Sequence, residues 1–104
     1  MMPNEILYVE SRPVSPDRTD EYNRWYNDVH VPEVLALPDF VAAQRFAPVD
    51  DDGRFVAIYE IESDDPHSAL ASLGRAAADG TVQMSDVIQM DPPPRTRLLR
   101  VIPF

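Results

Sequence analysis

Between Tyr22 and Pro32 the chain reads YNRWYNDVHVP, and its densest cluster of usable chemistry is there. Tyr22, Trp25, Tyr26 and Val29 recur at i, i+3, i+4 and i+7, the spacing of one apolar helical face. His30 follows Tyr26 by four residues, close enough on a helix to share a substrate or a hydrogen bond. Imidazole is the side chain best suited to exchange protons near neutral pH. A tyrosine hydroxyl can orient or protonate an oxygen, and an indole offers a flat apolar wall. His30 and Tyr26 are therefore the candidate catalytic pair, with Tyr22, Trp25 and Val29 as candidate substrate contacts. Core packing would also account for Trp25 and the tyrosines, and a helix cap for His30. Pro32 disfavours helical geometry at Val31, so a break near His30 is expected, exposing the ring at the mouth of a helix–sheet layer.

Further along, Arg45 can bind a carboxylate or an enolate, or serve an edge or interface salt bridge. Phe46 beside it and Tyr59 are further candidate substrate contacts, Tyr59 as a second pocket hydroxyl or as simple core. Glu33 could reach back to orient His30, or be a solvated charge. Asp28 points away from His30 on a helix and can pair with Arg24. His67 follows two aspartates at a helix start and reads as exposed and inert. Asp50-Asp51-Asp52 lacks the alternating spacing of a calcium loop and reads as a turn, so no metal site is expected.

These residues must be positioned by a small set of elements. Asn4 to Glu10 is a strand. Ser15, Pro16 and Asp17 form a helix start, with Ser15 as N-cap. Glu33 to Leu37 supplies one more turn before Pro38. Phe40 to Val49 and Arg54 to Glu62 form two strands joined at Asp52-Gly53, the usual hairpin dipeptide. Ser63 to Pro66 caps a second helix with an apolar stripe of Ala69, Leu70, Leu73, Ala76 and Ala77, and Gly80 stops it. Thr81 to Met90 has no clear period, Asp91 to Pro94 is stiff and extended, and Arg97 to Phe104 is a last strand. A lid formed by 81–94 stays open as a possibility. The order β-α-β-β-α-β predicts an α+β, ferredoxin-like fold with a four-stranded antiparallel sheet. Two helices cover one face of such a sheet. Yet Ile6 to Val9, Phe55 to Tyr59 and Leu98 to Ile102 carry large apolar groups on both parities, as doubly buried strands do. The economical cover for the second face is another copy of the chain, a homodimer.

Composition narrows the chemistry. The 104 residues make a single domain, 1–104. Asp and Glu number 18 against 9 basic residues, all of them Arg, for a net charge of -9. A Lys nucleophile, a Schiff base and a phosphate-loop Lys are therefore excluded. An acidic surface without a basic stripe argues against nucleic acid and anionic membrane. There is no Cys, hence no disulfide, thiolate or Cys-based metal site. With two His residues a multi-His metal site is not expected, nor is any bound cofactor. No apolar run approaches a membrane span and no leader-like segment opens the chain, so a cytoplasmic location is expected.

The run EYNRWYNDVHVPEVLALPDFVAAQRF resembles the EthD-like branch of the dimeric α+β barrel (ferredoxin-like) superfamily, where a helix ending W-Y/H-x-x-x-H-x-P leads to L-x-L-P-G-F and a strand ending R-F/Y. Trp25, Tyr26, His30, Pro32, Leu35, Leu37, Pro38, Phe40, Arg45 and Phe46 carry the pattern. FVAIYEIES and DDPHSALASL are similar too. Asp39 stands where the pattern has Gly, and Asp tolerates a left-handed turn better than most residues. The resemblance implies a homodimeric α+β barrel with a pocket between sheet and helices, in which His30, Trp25 and Tyr26 are pocket positions. The superfamily hosts cyclases, lyases, isomerases, cofactor-free monooxygenases and haem-degrading enzymes, so the resemblance fixes no reaction and does not establish His30 as a base. On the residues themselves the leading expectation is a cofactor-independent lyase, cyclase or isomerase acting on a small apolar carbonyl, polyketide-like or aromatic compound by His30 general acid–base catalysis. A cofactor-free monooxygenase on a phenolic substrate and a non-catalytic ligand-binding or accessory protein are the alternatives. Haem degradation is disfavoured by the acidic surface, although Arg45 or Arg100 could partner a propionate.

Overall fold

The computed structural model describes residues 4–50 and 52–104. The four apolar runs form one antiparallel sheet from β1 (Glu5–Ser11), β2 (Phe40–Phe46), β3 (Phe55–Ile61) and β4 (Arg95–Arg100), in the order β2-β3-β1-β4. Helices α1 (Thr19–Trp25) and α2 (Val31–Leu35) lie between β1 and β2, and α3 (Pro66–Asp79) lies between β3 and β4. This is the ferredoxin-like α+β arrangement expected.

Register assigns the faces. Leu7 pairs with Tyr59 and Leu98, Val9 with Ala57, Ser11 with Phe55, and Arg45 with Ala57. Leu7, Ala57, Tyr59 and Ile61 from that face are buried with Tyr22, Tyr26, Val34, Ala69 and Ala76 from the helices, so both helical layers pack on one side. The other side presents Ile6, Tyr8, Val56, Ile58 and Leu99, which no helix of the chain covers. The apolar residues of both parities thus divide between a filled core and an uncovered sheet face.

Local chemistry sets the boundaries. Asp65 caps α3 by accepting a hydrogen bond from the Ser68 amide at 3.3 Å, and Gly80 ends it at φ 86°. Asp39 adopts φ 78° before β2, the left-handed turn anticipated for it. The β2–β3 hairpin turns at Gly53, φ 75°; Asp51 of the expected Asp50–Gly53 turn lies outside the described residues. Ser15 precedes a short 3-10 turn, Pro16–Arg18, without a side-chain cap bond, and α1 starts after it.

Several expectations need correcting. β2 stops at Phe46 instead of Val49, ahead of Pro48, which has no amide to give a sheet. β4 runs from Arg95 to Arg100; Val101 makes one more backbone bond, to Asn4, and β1 begins at Glu5. The helix does not break at Pro32. His30 and Val31 keep right-handed helical angles, and a π turn over Tyr26–His30 bridges α1 to α2. There the Val31 amide reaches the Tyr26 carbonyl, five residues back. The wider turn accommodates a proline that can donate no i→i−4 bond. Residues 81–94 form no free flap. Val82, Val87 and Ile88 are buried, Val14 and Gln89 amides bond across to the Val87 and Arg12 carbonyls at 2.7 and 3.0 Å, and Glu33 holds Gln83.

Candidate active site

The π turn decides which side chains meet. In a regular helix His30 would sit over Tyr26 and Asn27, four and three residues back. The extra residue rotates it over Trp25, five residues back, and the two rings stack with centroids 4.7 Å apart and planes 27° from parallel. Tyr26 meets the same imidazole edge-on at 5.0 Å, so the i, i+4 contact read from the spacing also forms. Trp25 and His30 are half-buried, Tyr26 fully buried. π turns inside α-helices occur frequently at functional sites.

Beneath this stack lies a layer of phenols. Tyr22 packs edge-on against Tyr26 at 5.4 Å, and Tyr59 rises from β3 on the same side of the sheet. The Tyr22 hydroxyl and Ser11 Oγ are 2.6 Å apart and buried. Burial raises the pKa of all three phenols: Tyr22 upward, Tyr26 to about 12, and Tyr59 further, helped by the neighbouring Tyr26. They are hydrogen-bond donors over the whole physiological range.

Arg45 supplies the layer's cation. Its guanidinium lies 4.4 Å from the Tyr26 ring centroid and 5.6 Å from that of Tyr22. It donates to Asn23 Oδ1 and Asn27 Oδ1, both at 2.8 Å. The two asparagines, four apart on the helix, hold it flat. Neither was singled out in the sequence; their i, i+4 spacing ahead of a strand arginine was the available signal.

Two buried polar atoms have no hydrogen-bond partner among the described residues: His30 Nδ1 and the Tyr59 hydroxyl. Both belong to neighbours of Tyr26. Burial, with Arg45 adding to it and Glu33 opposing it, lowers the His30 pKa to about 4. The imidazole is therefore neutral at pH 7, with a nitrogen lone pair that can accept a proton or a hydrogen bond.

The remaining candidates fall elsewhere. Val29 is half-buried on the π turn. Phe46 is exposed on the opposite face of the sheet from Arg45, because successive strand residues alternate, and Gln44 shares that face. Glu33 does not orient His30 by a hydrogen bond; its carboxylate accepts the Gln83 amide at 2.7 Å and Gln83 Nε2 at 3.2 Å. His67 is exposed. Among the described residues no cluster of His, Asp or Glu could hold a metal ion, and no helix is long and apolar enough to cross a membrane.

No family profile matches the chain, and no curated protein matches it in sequence. Solved structures do share its fold. The haem-degrader MhuD of Mycobacterium tuberculosis, solved with two haems in its active site, is similar at TM-score 0.63 and 21% identity, over 95% of this chain and 97% of that one. SnoaB of Streptomyces nogalater, a cofactor-independent oxygenase, is similar at TM-score 0.63 and 18% identity over 97% and 96%. An ethyl tert-butyl ether D (EthD) family protein of Bacillus halodurans is similar at TM-score 0.60 and 10% identity over 94% and 99%. The resemblance read from the helix-to-strand motif is borne out at the level of the fold.

Proposed function

We propose that the protein is a cofactor-independent enzyme in which neutral His30 takes a proton from an acidic C–H or hydroxyl of a small aromatic or polyketide-like carbonyl compound. The observation that carries this reading is the pair of unpartnered buried polar atoms beside Tyr26, His30 Nδ1 and the Tyr59 hydroxyl. Buried polar groups are nearly always paired, and a substrate oxygen is a partner that this site can use. Protonated Tyr59 and Tyr26 donate to the oxyanion as it forms. Arg45, which favours the ionised form of all three phenols, favours an enolate or phenolate in the same layer. Trp25 is the flat wall that both holds the imidazole and receives an aromatic substrate.

The resulting anion has two fates. Returning the proton at another atom, or closing a ring, makes the enzyme a lyase, cyclase or isomerase. Passing electrons to O₂ makes it a monooxygenase: a phenol and one O₂ give a quinone and one water, the substrate supplying all the reducing electrons. The oxygenase activity of SnoaB, on the same fold without a cofactor, favours the second fate.

The active unit is a homodimer whose two uncovered sheet faces meet, which the row of Ile6, Val56, Ile58 and Leu99 supports.

Oxygen uptake with a panel of phenolic and 1,3-dicarbonyl compounds tests the reading. Wild-type turnover should consume one O₂ per quinone, and His30→Ala should lose roughly 10²–10⁴-fold of the rate. Turnover without oxygen uptake would reassign the reaction to rearrangement. Full activity in His30→Ala would remove the proposed base.

A further inference from the structure

A cavity among the described residues has a lining that does not include His30. It holds about 350 Å³ and opens where the end of β1, the start of β3 and the start of β4 meet. Arg12, Arg54 and Arg95 line it, with Gln89, Glu10 and Ser11. Three of the chain's nine arginines thus face a single space in a protein of net charge -9. The Pro92–Pro94 run forms a stiff wall on one side.

Among the described residues these three arginines have no ion-pair partner: the ion pairs there are Arg18 with Glu21 and Asp86, and Arg100 with Glu5. Arg95 is the register partner of Glu10 across β1 and β4, yet no salt bridge joins them. The Glu10 carboxylate instead accepts the Tyr8 hydroxyl at 3.4 Å. Gln89 is fixed by its amide to the Arg12 carbonyl at 3.0 Å and by Nε2 to the Asp91 carbonyl at 3.2 Å. Ser11, which also lines the cavity, is already bonded to the Tyr22 hydroxyl of the phenol layer.

We infer that this cavity is a binding site for a small organic carboxylate that also carries a hydroxyl group. Guanidinium groups recognise carboxylates by paired, charge-assisted hydrogen bonds. A concave patch of one sign, set in a surface of the other, gathers its counter-ion. The volume falls in the range of small-molecule sites and exceeds what an inorganic anion fills. Glu10, on the same wall, repels a compact multiply charged anion and accepts from a hydroxyl. The site stands whether or not His30 is a base.

An NMR titration of the full chain with 4-hydroxybenzoate, 4-hydroxybenzamide, benzoate and inorganic phosphate tests it. 4-Hydroxybenzoate should saturate at low millimolar concentration and shift the amides of Gln89 and Arg95. The uncharged amide should not, and benzoate should bind more weakly. The double variant Arg54→Gln/Arg95→Gln changes two exposed side chains, Arg95 at the end of the uncovered sheet face, and its melting temperature and sedimentation check its fold and assembly. It should bind 4-hydroxybenzoate about tenfold or more weakly, while His30→Ala binds normally. Absence of saturation, equal binding by 4-hydroxybenzamide, equal binding by a folded double variant, or binding of phosphate alone would overturn the assignment. Equal binding of benzoate would remove the hydroxyl and the role given to Glu10.

Discussion

The imidazole of His30 stacks on the indole of Trp25 at 4.7 Å, across five residues of a helix that an ordinary turn would have kept apart. Trp25 is the chain's one tryptophan, so its fluorescence reports directly on the state of His30. Because burial holds the His30 pKa at about 4 against an ordinary 6.5, the unfolded chain binds a proton that the folded chain refuses between those values. Stability is therefore complete above pH 6.5 and is lost as the pH falls toward 4. The loss amounts to about 3 kcal/mol at most, less where water reaches the half-buried ring. Urea unfolding at pH 7 and pH 4.5 should show this loss, and His30→Gln should reduce it. A Trp25 fluorescence titration should show its midpoint near the lower value. An unchanged acid dependence in His30→Gln would mean other groups carry it.

The two buried phenols at either end of the layer should respond oppositely to the same substitution. Tyr59→Phe removes a hydroxyl for which the described residues supply no hydrogen bond within ordinary geometry, so the melting temperature should hold or rise. If that hydroxyl donates to substrate, kcat should fall by roughly 10²–10³-fold. Tyr22→Phe strands buried Ser11 Oγ and should cost about 1–3 kcal/mol of stability. Denaturant melts of both variants, set beside their turnover, distinguish a substrate contact from a packing role.

The fold could be read from the sequence because its signals are local and periodic. Asp65-Pro66 and Gly80 mark the ends of α3, Gly53 marks a hairpin, and apolar residues on both parities of β1 and β3 announce a sheet with two faces to cover. The candidate site could be read only in part. Tyr26 meets His30 as the four-residue spacing implies, but the Trp25 stack depends on a π turn, and no 3.6-residue pattern encodes an i, i+5 contact. Phe46 was placed beside Arg45 by sequence adjacency, which in a strand puts the two on opposite faces. The Asn23–Arg45–Asn27 clamp pairs residues about twenty apart, and that pairing appears only once β2 is laid against the helix.

Pro32 sustains the π turn by withholding an amide from the helix. Pro32→Ala restores that donor and lets the segment tighten toward a regular helix. His30 should then swing away from Trp25. A shift in Trp25 emission, together with loss of activity and no loss of stability, is the expected result. Unchanged emission would show that the π turn is held by its neighbours instead.

Arg45 should not tolerate its nearest chemical substitute. Lysine cannot donate in a plane to both Asn23 and Asn27 while lying on the Tyr26 ring, so Arg45→Lys should lose about 1–2 kcal/mol. If Arg45 also stabilises the substrate oxyanion, kcat should fall more than KM rises. Equal stability of Arg45→Lys and wild type in denaturant melts would show that the clamp contributes nothing beyond charge.

The uncovered sheet face yields the last prediction. Ile58 sits at its centre, on β3, opposite Tyr8 of β1 and Gln44 of β2, with Ile6, Val56 and Leu99 completing the apolar patch. In a homodimer this residue meets the partner's sheet, where a charge would be desolvated without a counter-charge. Ile58→Glu should convert a dimer to a monomer in analytical ultracentrifugation. Its far-UV circular dichroism should stay unchanged, since the side chain points away from the core shared with the helices. A wild-type protein that sediments as a monomer at micromolar concentration would refute the paired-sheet assembly, and Ile58→Glu would then sediment no differently.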